Sequence, residues 1–215
     1  MKDLEVIYDI SIPLGAGSVD WPGLPPYSRE LVSEMKRGGP ADISKLTMIC
    51  HVGTHVDTPS HFVVNGKNLD EYPVSDWVLP AQVVSIRDSQ AVRPSEFRQL
   101  DIRPGEAILF QTDNSRIGRC VSGVFAEDYV YITPEAADFL IQREIAMVGI
   151  DYGSVDRFDD GNMTIHHRLL GSGIRIVEGI NLKDIPTGRY TLFCLPLRIS
   201  GAEGAPARAV LVRQQ

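Results

Sequence analysis

The chain has 215 residues, 43% of them hydrophobic and 23% charged, which is ordinary for a globular protein and enough apolar material for a buried core. Its formal net charge of -7 excludes a global basic field, so no nucleic-acid partner is expected. No apolar run approaches the roughly 20 residues that span a bilayer, so no membrane partner is expected either. One domain over residues 1–215 is predicted. The acid-bearing start, Met1-Lys2-Asp3-Leu4-Glu5, is unlike a signal peptide. The three cysteines, Cys50, Cys120 and Cys194, are odd in number and far apart, which predicts idle thiols in a reducing cytoplasm.

In chain order, Val6 to Ile12 alternates as a strand does, and a turn-rich stretch from Pro13 to Pro26 follows, holding Trp21-Pro22-Gly23. Ile43 to Ile49 is a second strand, running directly into a polar motif. Asn65-Gly66 and Tyr72-Pro73 mark loops. Ala81 to Ile86 and Ala107 to Gln111 read as buried strands, with one or two helical turns between them at Pro94 to Leu100. Thr133-Pro134-Glu135 is a helix start, with Thr133 as cap and Pro134 in the first helical position, and the helix is expected to reach about Arg143. Ile145 to Ile150, Ile174 to Val177, Tyr190 to Ile199 and Ala209 to Val212 complete the strands. Many strands, few helices and no internal repeat predict a mixed α/β or α+β fold.

Three of the five histidines fall within the segment Cys50-His51-Val52-Gly53-Thr54-His55-Val56-Asp57-Thr58-Pro59-Ser60-His61-Phe62. Histidines placed for packing do not bunch in this way, and imidazole is the commonest metal ligand and the usual proton shuttle near neutral pH. Gly53 suits a turn between His51 and His55. In an extended chain His55 and Asp57 share a face. Two imidazoles and a carboxylate form a ligand set for zinc or manganese, and the two oxygens of Asp57 can bridge two ions. Pro59 stiffens the approach to His61, which suits a general acid or base held beside the metal. Thr54 and Thr58 can support the ligands by hydrogen bonds. If a strand enters the segment, Cys50 points away from His51.

The remaining histidines, His166 and His167, are adjacent in Thr164-Ile165-His166-His167-Arg168-Leu169-Leu170. Leu169 and Leu170 are expected to face the core. One of the two histidines, with Glu178 after the strand that follows, can supply a second metal or complete the first; spacing alone does not choose between His166 and His167.

Together these residues resemble the bacterial kynurenine formamidase and cyclase family of metal-dependent hydrolases. Its His-x-Gly-Thr-His-x-Asp-x-Pro-x-His-Phe signature stands complete from His51 to Phe62. Further likeness lies in Asp9-Ile10-Ser11 with Trp21-Pro22-Gly23, in Val148-Gly149-Ile150-Asp151 with Ser154-Val155-Asp156, in His166-x-x-Leu169-Leu170 with Ile176-Val177-Glu178-Gly179, and in Leu195-Pro196-Leu197 with Pro206-Ala207-Arg208-Ala209. The resemblance implies a swivelling β/β/α domain, usually assembled as a homodimer or homotetramer. It implies His51, His55 and Asp57 on one metal, with Asp57 shared with a second held by His166 and Glu178. His61 becomes the catalytic acid/base and Trp21 a substrate-binding residue. One or two Zn2+ ions per chain are implied, with Mn2+ as an alternative.

The implied function is hydrolysis of an amide by metal-activated water, with a small aryl formamide such as N-formylkynurenine as substrate. A cyclic amide such as isatin, or a lactone, is the alternative, followed by a protein whose metal is purely structural. No Gly-x-Ser-x-Gly elbow is present, in keeping with a route that needs no serine nucleophile. Two departures concern the substrate rather than the metal. Leu24 follows Trp-Pro-Gly where formamidases usually carry Asp, and Asp113 to Asp128 does not follow the formamidase pattern.

Overall fold

The computed structural model describes residues 6–15 and 17–213; the start Met1 to Glu5 lies outside them. Twelve strands are described: β1 (Ile7–Asp9), β2 (Ser28–Ser33), β3 (Ile43–Thr47), β4 (His55–Asp57), β5 (Val78–Ser85), β6 (Ala91–Val92), β7 (Ala107–Gln111), β8 (Tyr131–Ile132), β9 (Met147–Ile150), β10 (Arg175–Glu178), β11 (Gly188–Pro196) and β12 (Gly204–Arg213). The α-helices described are α1 (Asp113–Arg116), α2 (Pro134–Gln142) and α3 (Thr164–Gly171). The protein is therefore a strand-rich mixed α/β fold.

Eight strands form the main sheet in the order β1-β12-β11-β5-β7-β9-β10-β4, and β4 also pairs with β12. That last pairing joins the two sides of the sheet and closes a ring of seven strands, with β1 laid against the far end of β12. The neighbours β5, β7, β9 and β10 run parallel, and the other pairs in the sheet are antiparallel. Parallel strands covered on both faces read as continuous apolar runs. Accordingly Ile108 and Phe110 of β7 pack against Ala136, Leu140, Leu169 and Leu170 of α2 and α3, while Ala107 and Leu109 enter a second core with Val56, Val177 and Leu192.

The α2 start follows the expected chemistry: the Thr133 hydroxyl accepts from Ala136 N and Pro134 opens the helix. Other boundaries differ from expectation. The first strand is only Ile7–Asp9, although Ile10 and Ile12 are buried beyond it. Pro94 to Leu100 yields a single 3-10 turn, Pro94–Glu96. The expected strand from Ile43 does not run into the histidine motif. It stops at Thr47, paired with the unanticipated β2 in an exposed hairpin, and the chain bends through residues 50–54. With no strand at Cys50, the argument that its thiol points away from His51 fails. The thiol instead lies near Glu203, and burial, followed by that carboxylate, raises its pKa. The second histidine motif is the helix α3, which alternation and loop signals did not reveal.

Candidate metal centre and its pocket

The centre is assembled where β4 lies between β10 and β12. His55 stands opposite Glu178 and Asp57 opposite Ile176 on β10, while Asp57 faces Gly204 on β12. Alternation along β4 turns His55 and Asp57 to one side and sends Val56 into the core. Gly53, at φ +58, makes the preceding bend. Pro59 opens the 3-10 turn Pro59–His61 and fixes where His61 projects. From the other direction, α3 brings His166 inward on the same side as Ile165, Leu169 and Leu170, and leaves His167 exposed.

Asp57 and Glu178 each turn one oxygen to either half of the cluster. Asp57 Oδ1 lies 2.7 Å from His51 Nδ1 and 3.6 Å from His55 Nε2, and Asp57 Oδ2 lies 3.5 Å from His166 Nε2. Glu178 Oε2 is 3.4 Å from His55 Nε2, and Oε1 is 3.3 Å from His166 Nε2. The far side of each ring is anchored. His55 Nδ1 donates to Gly53 O (3.1 Å), His166 Nδ1 donates to Asp156 Oδ2 (2.5 Å), and His51 Nε2 lies 3.2 Å from Glu203 Oε1. In a neutral ring a proton on Nδ1 leaves Nε2 as an acceptor. For His55 and His166 that acceptor faces carboxylate oxygens in a buried site, an arrangement that needs a cation between the two. His55 Nε2 and Asp57 Oδ2 are indeed buried without a hydrogen-bond partner. Ligand atoms of His55, Asp57 and Glu178 lie within 4.8 Å of one another, as do those of His51, Asp57 and His61. The donor set, its orphaned atoms and its anchored rings fit a divalent metal.

Electrostatics agree. Burial works against the charge of Asp57, but the neighbouring imidazoles of His55, His166 and His51 hold its carboxyl well below the usual range. Burial likewise opposes Glu178, and the charge of His166 draws its carboxyl down. Both are therefore anionic at neutral pH. Against the pull of burial, Glu178 and Asp156 raise His166 well above the ordinary imidazole value, so without a metal a proton occupies its place. His61 is different: burial pushes it down to about 4, so its ring is neutral at pH 7. Its ring stacks on His51 at 3.9 Å between centroids.

A cavity of about 180 Å³ opens on this cluster, lined in part by His51, His61, His166, Glu178 and Trp21. The structure thus brings every residue expected at the site to one place. A roomier cleft of about 490 Å³ beside Tyr72, Trp77 and Arg198 contains no histidine, so donor chemistry rather than size identifies the site. Two of the supporting residues were given no role at the site by the sequence reading. Asp156, fully buried, accepts from Ile165 N and His166 N as well as from the His166 ring, and Glu203 flanks His51. Val155 N adds a bond to Glu178 Oε1 (2.7 Å). The expected helpers Thr54 and Thr58 make no hydrogen bond to the side chains of the clustered histidines and acids through their hydroxyls. Thr54 Oγ1 donates to Gly179 O and accepts from Ile12 N, and Thr58 Oγ1 donates to Glu203 O.

Residues 8–157 match the family described as "Putative cyclase". The kynurenine formamidase of Bacillus thuringiensis (strain Al Hakam) is 34% identical over 211 residues, covering 98% of this chain and 99% of the relative. Among solved structures, a potential metal-dependent hydrolase with cyclase activity superposes with a TM-score of 0.83 at 29% identity, over 98% of this chain and 99% of that one. Isatin hydrolase A from Labrenzia aggregata, bound to benzyl benzoate, gives 0.82 at 26% identity, over 98% and 94%.

Proposed function

Because the chain belongs to the cyclase family of metal-dependent amide hydrolases, we propose that it cleaves the formyl group from an aryl formamide of the N-formylkynurenine type. The observation that carries this reading is the buried carboxylate pair, each oxygen aimed at an imidazole acceptor, beside a neutral His61. In the proposed assignment His51, His55 and Asp57 would hold one ion, and His166 and Glu178, with Asp57, would hold a second. Zinc suits this nitrogen and oxygen set, with manganese as the alternative. When bound, such an ion acts as a Lewis acid that acidifies water and polarises a carbonyl.

The chain's own residues do the rest. Asp156 and Gly53 O keep the His166 and His55 rings turned so that Nε2 faces inward. The His61 ring takes a proton from water and returns it to the departing aryl nitrogen. Trp21 closes one wall of the cavity over the aromatic part of the substrate. The solved isatin hydrolase, with an aromatic ester in its structure, supports a pocket built for aryl groups and keeps a cyclic amide as the second reading. We further propose that residues 1–215 act as one hydrolase domain in the cytoplasm, assembled as a homodimer. The β2–β3 hairpin supports assembly: it exposes Leu31, Val32, Ile43 and Leu46, and a lone two-stranded hairpin is marginal in water.

The test is zinc content and turnover of N-formylkynurenine by two variants. His61→Ala should keep its metal and lose about 10²- to 10⁴-fold in kcat. Asp57→Ala should lose metal and rate together. The wild-type rate should fall as pH drops towards 4, because His61 then takes up the proton it must accept. Undiminished turnover in metal-loaded His61→Ala sinks the acid/base role, and unchanged metal content in Asp57→Ala sinks the bridge.

A further inference from the structure

We propose that the cavity takes one uncharged aromatic ring carrying the amide, and that Leu24 is the residue that sets this preference. The inference rests on the amide-hydrolase reading of the metal centre.

Leu24 is placed by a tight turn. Its N–H donates to Trp21 O (3.2 Å), Pro22 and Gly23 occupy the middle positions, and Gly23 has φ +83. Proline followed by a residue at positive φ is the chemistry of a type II turn, in which glycine is strongly favoured at the third position. The turn sets Trp21 and Leu24 side by side, and both line the cavity. The Trp21 ring is braced from behind by Phe125 (5.1 Å, edge-on) and Phe158 (5.8 Å). Phe62 is braced in turn by His61 (4.3 Å) and His166 (4.8 Å).

Away from the histidines and Glu178, the walls are the apolar side chains of Trp21, Leu24, Phe62 and Met163, with Gly153 and Ser154. Among the described residues, no lysine or arginine lines the cavity. Its volume of about 180 Å³ is close to the roughly 150 Å³ that accommodates a benzene ring. It therefore takes one ring with its amide, and any further substituent reaches out past the mouth. A carboxylate on the ring edge remote from the amide would give up part of its water against the apolar side chains of Leu24 and Met163 with no counter-ion, which is unfavourable. Leu24 is 49% exposed, so it stands at the mouth, where another side chain can be introduced without disturbing the core.

The experiment compares formanilide with 4-formamidobenzoate, whose charge lies para to the amide, on the zinc-loaded protein and on Leu24→Arg. The wild type should show kcat/KM at least tenfold higher for formanilide, mostly through KM, and Leu24→Arg should close that gap by at least tenfold. Equal use of the two by the wild type, or a ratio unmoved by Leu24→Arg, overturns the proposal. If the zinc-loaded protein cleaves neither, the hydrolase reading fails separately, and calorimetric titration with aniline and 4-aminobenzoate decides the pocket. Tighter aniline, with the order reversed in Leu24→Arg, upholds it; 4-aminobenzoate bound as tightly or more tightly overturns it.

Discussion

Asp156 accepts three hydrogen bonds in a fully buried position, two from the first turn of α3 and one from the His166 ring. It therefore fixes both where the helix begins and which ring nitrogen of His166 faces Asp57 and Glu178. Asp156→Asn keeps an acceptor of similar shape but removes the charge and permits the wrong ring orientation. It should weaken zinc binding about 10- to 100-fold, read by competition with a chelating dye, while circular dichroism stays that of the parent. Wild-type affinity in this variant means that the ring needs no such partner. At this scale the sequence was unequally informative. His51, His55, Asp57 and His61 are legible because turn, strand and proline act within eleven positions, and local geometry converges them. Asp156 and Glu203 are two acids among 28, and only the fold shows that they touch histidines ten and 152 residues away.

At the scale of elements, the weight falls on β4, which has three residues and carries two of the cluster's central side chains. So short a strand is held by its neighbours rather than by its own propensity. It pairs with β10 on one side and β12 on the other, and just before it the Thr54 hydroxyl ties Ile12 N (2.8 Å) to Gly179 O (2.5 Å). Thr54→Val keeps the shape and strands both backbone groups in a buried site. Leaving a buried group unsatisfied costs about 1–3 kcal/mol. At about 2–4 °C per kcal/mol for a chain of this size, thermal unfolding should shift down by several degrees. An unchanged midpoint means that water or a small shift satisfies those groups. The helix α3 went unrecognised although Ile165 with Leu169, and His166 with Leu170, carry the four-residue spacing of a helix face. Adjacent histidines, a left-handed Met163 in place of a side-chain cap, and only eight residues hid the signal, since Asp156 supplies the cap from outside.

For the whole molecule, the hairpin is the part that the closed sheet leaves uncovered. Val32 and Leu46 are 58% and 50% exposed, and light scattering should report a dimer for the parent chain. Val32→Lys with Leu46→Lys should shift it towards monomer without altering its circular dichroism; a parent that is monomeric at micromolar concentration ends the assembly proposal. The sequence by itself determined the chemistry of the centre and the types of its main elements. Imidazole and carboxylate identities are properties of single residues, and the central apolar runs, such as Ala107 to Gln111, are buried on both faces of the sheet. Only the tertiary structure decided that Glu178 stands opposite His55, that β4 closes the ring of strands against β12, and that the turn from Trp21 to Leu24 forms a wall of the cavity. Those relations join segments more than a hundred residues apart in the first two cases, and in the third a loop and a site far from it in sequence. They are set by register and close packing, which no local pattern of residues encodes.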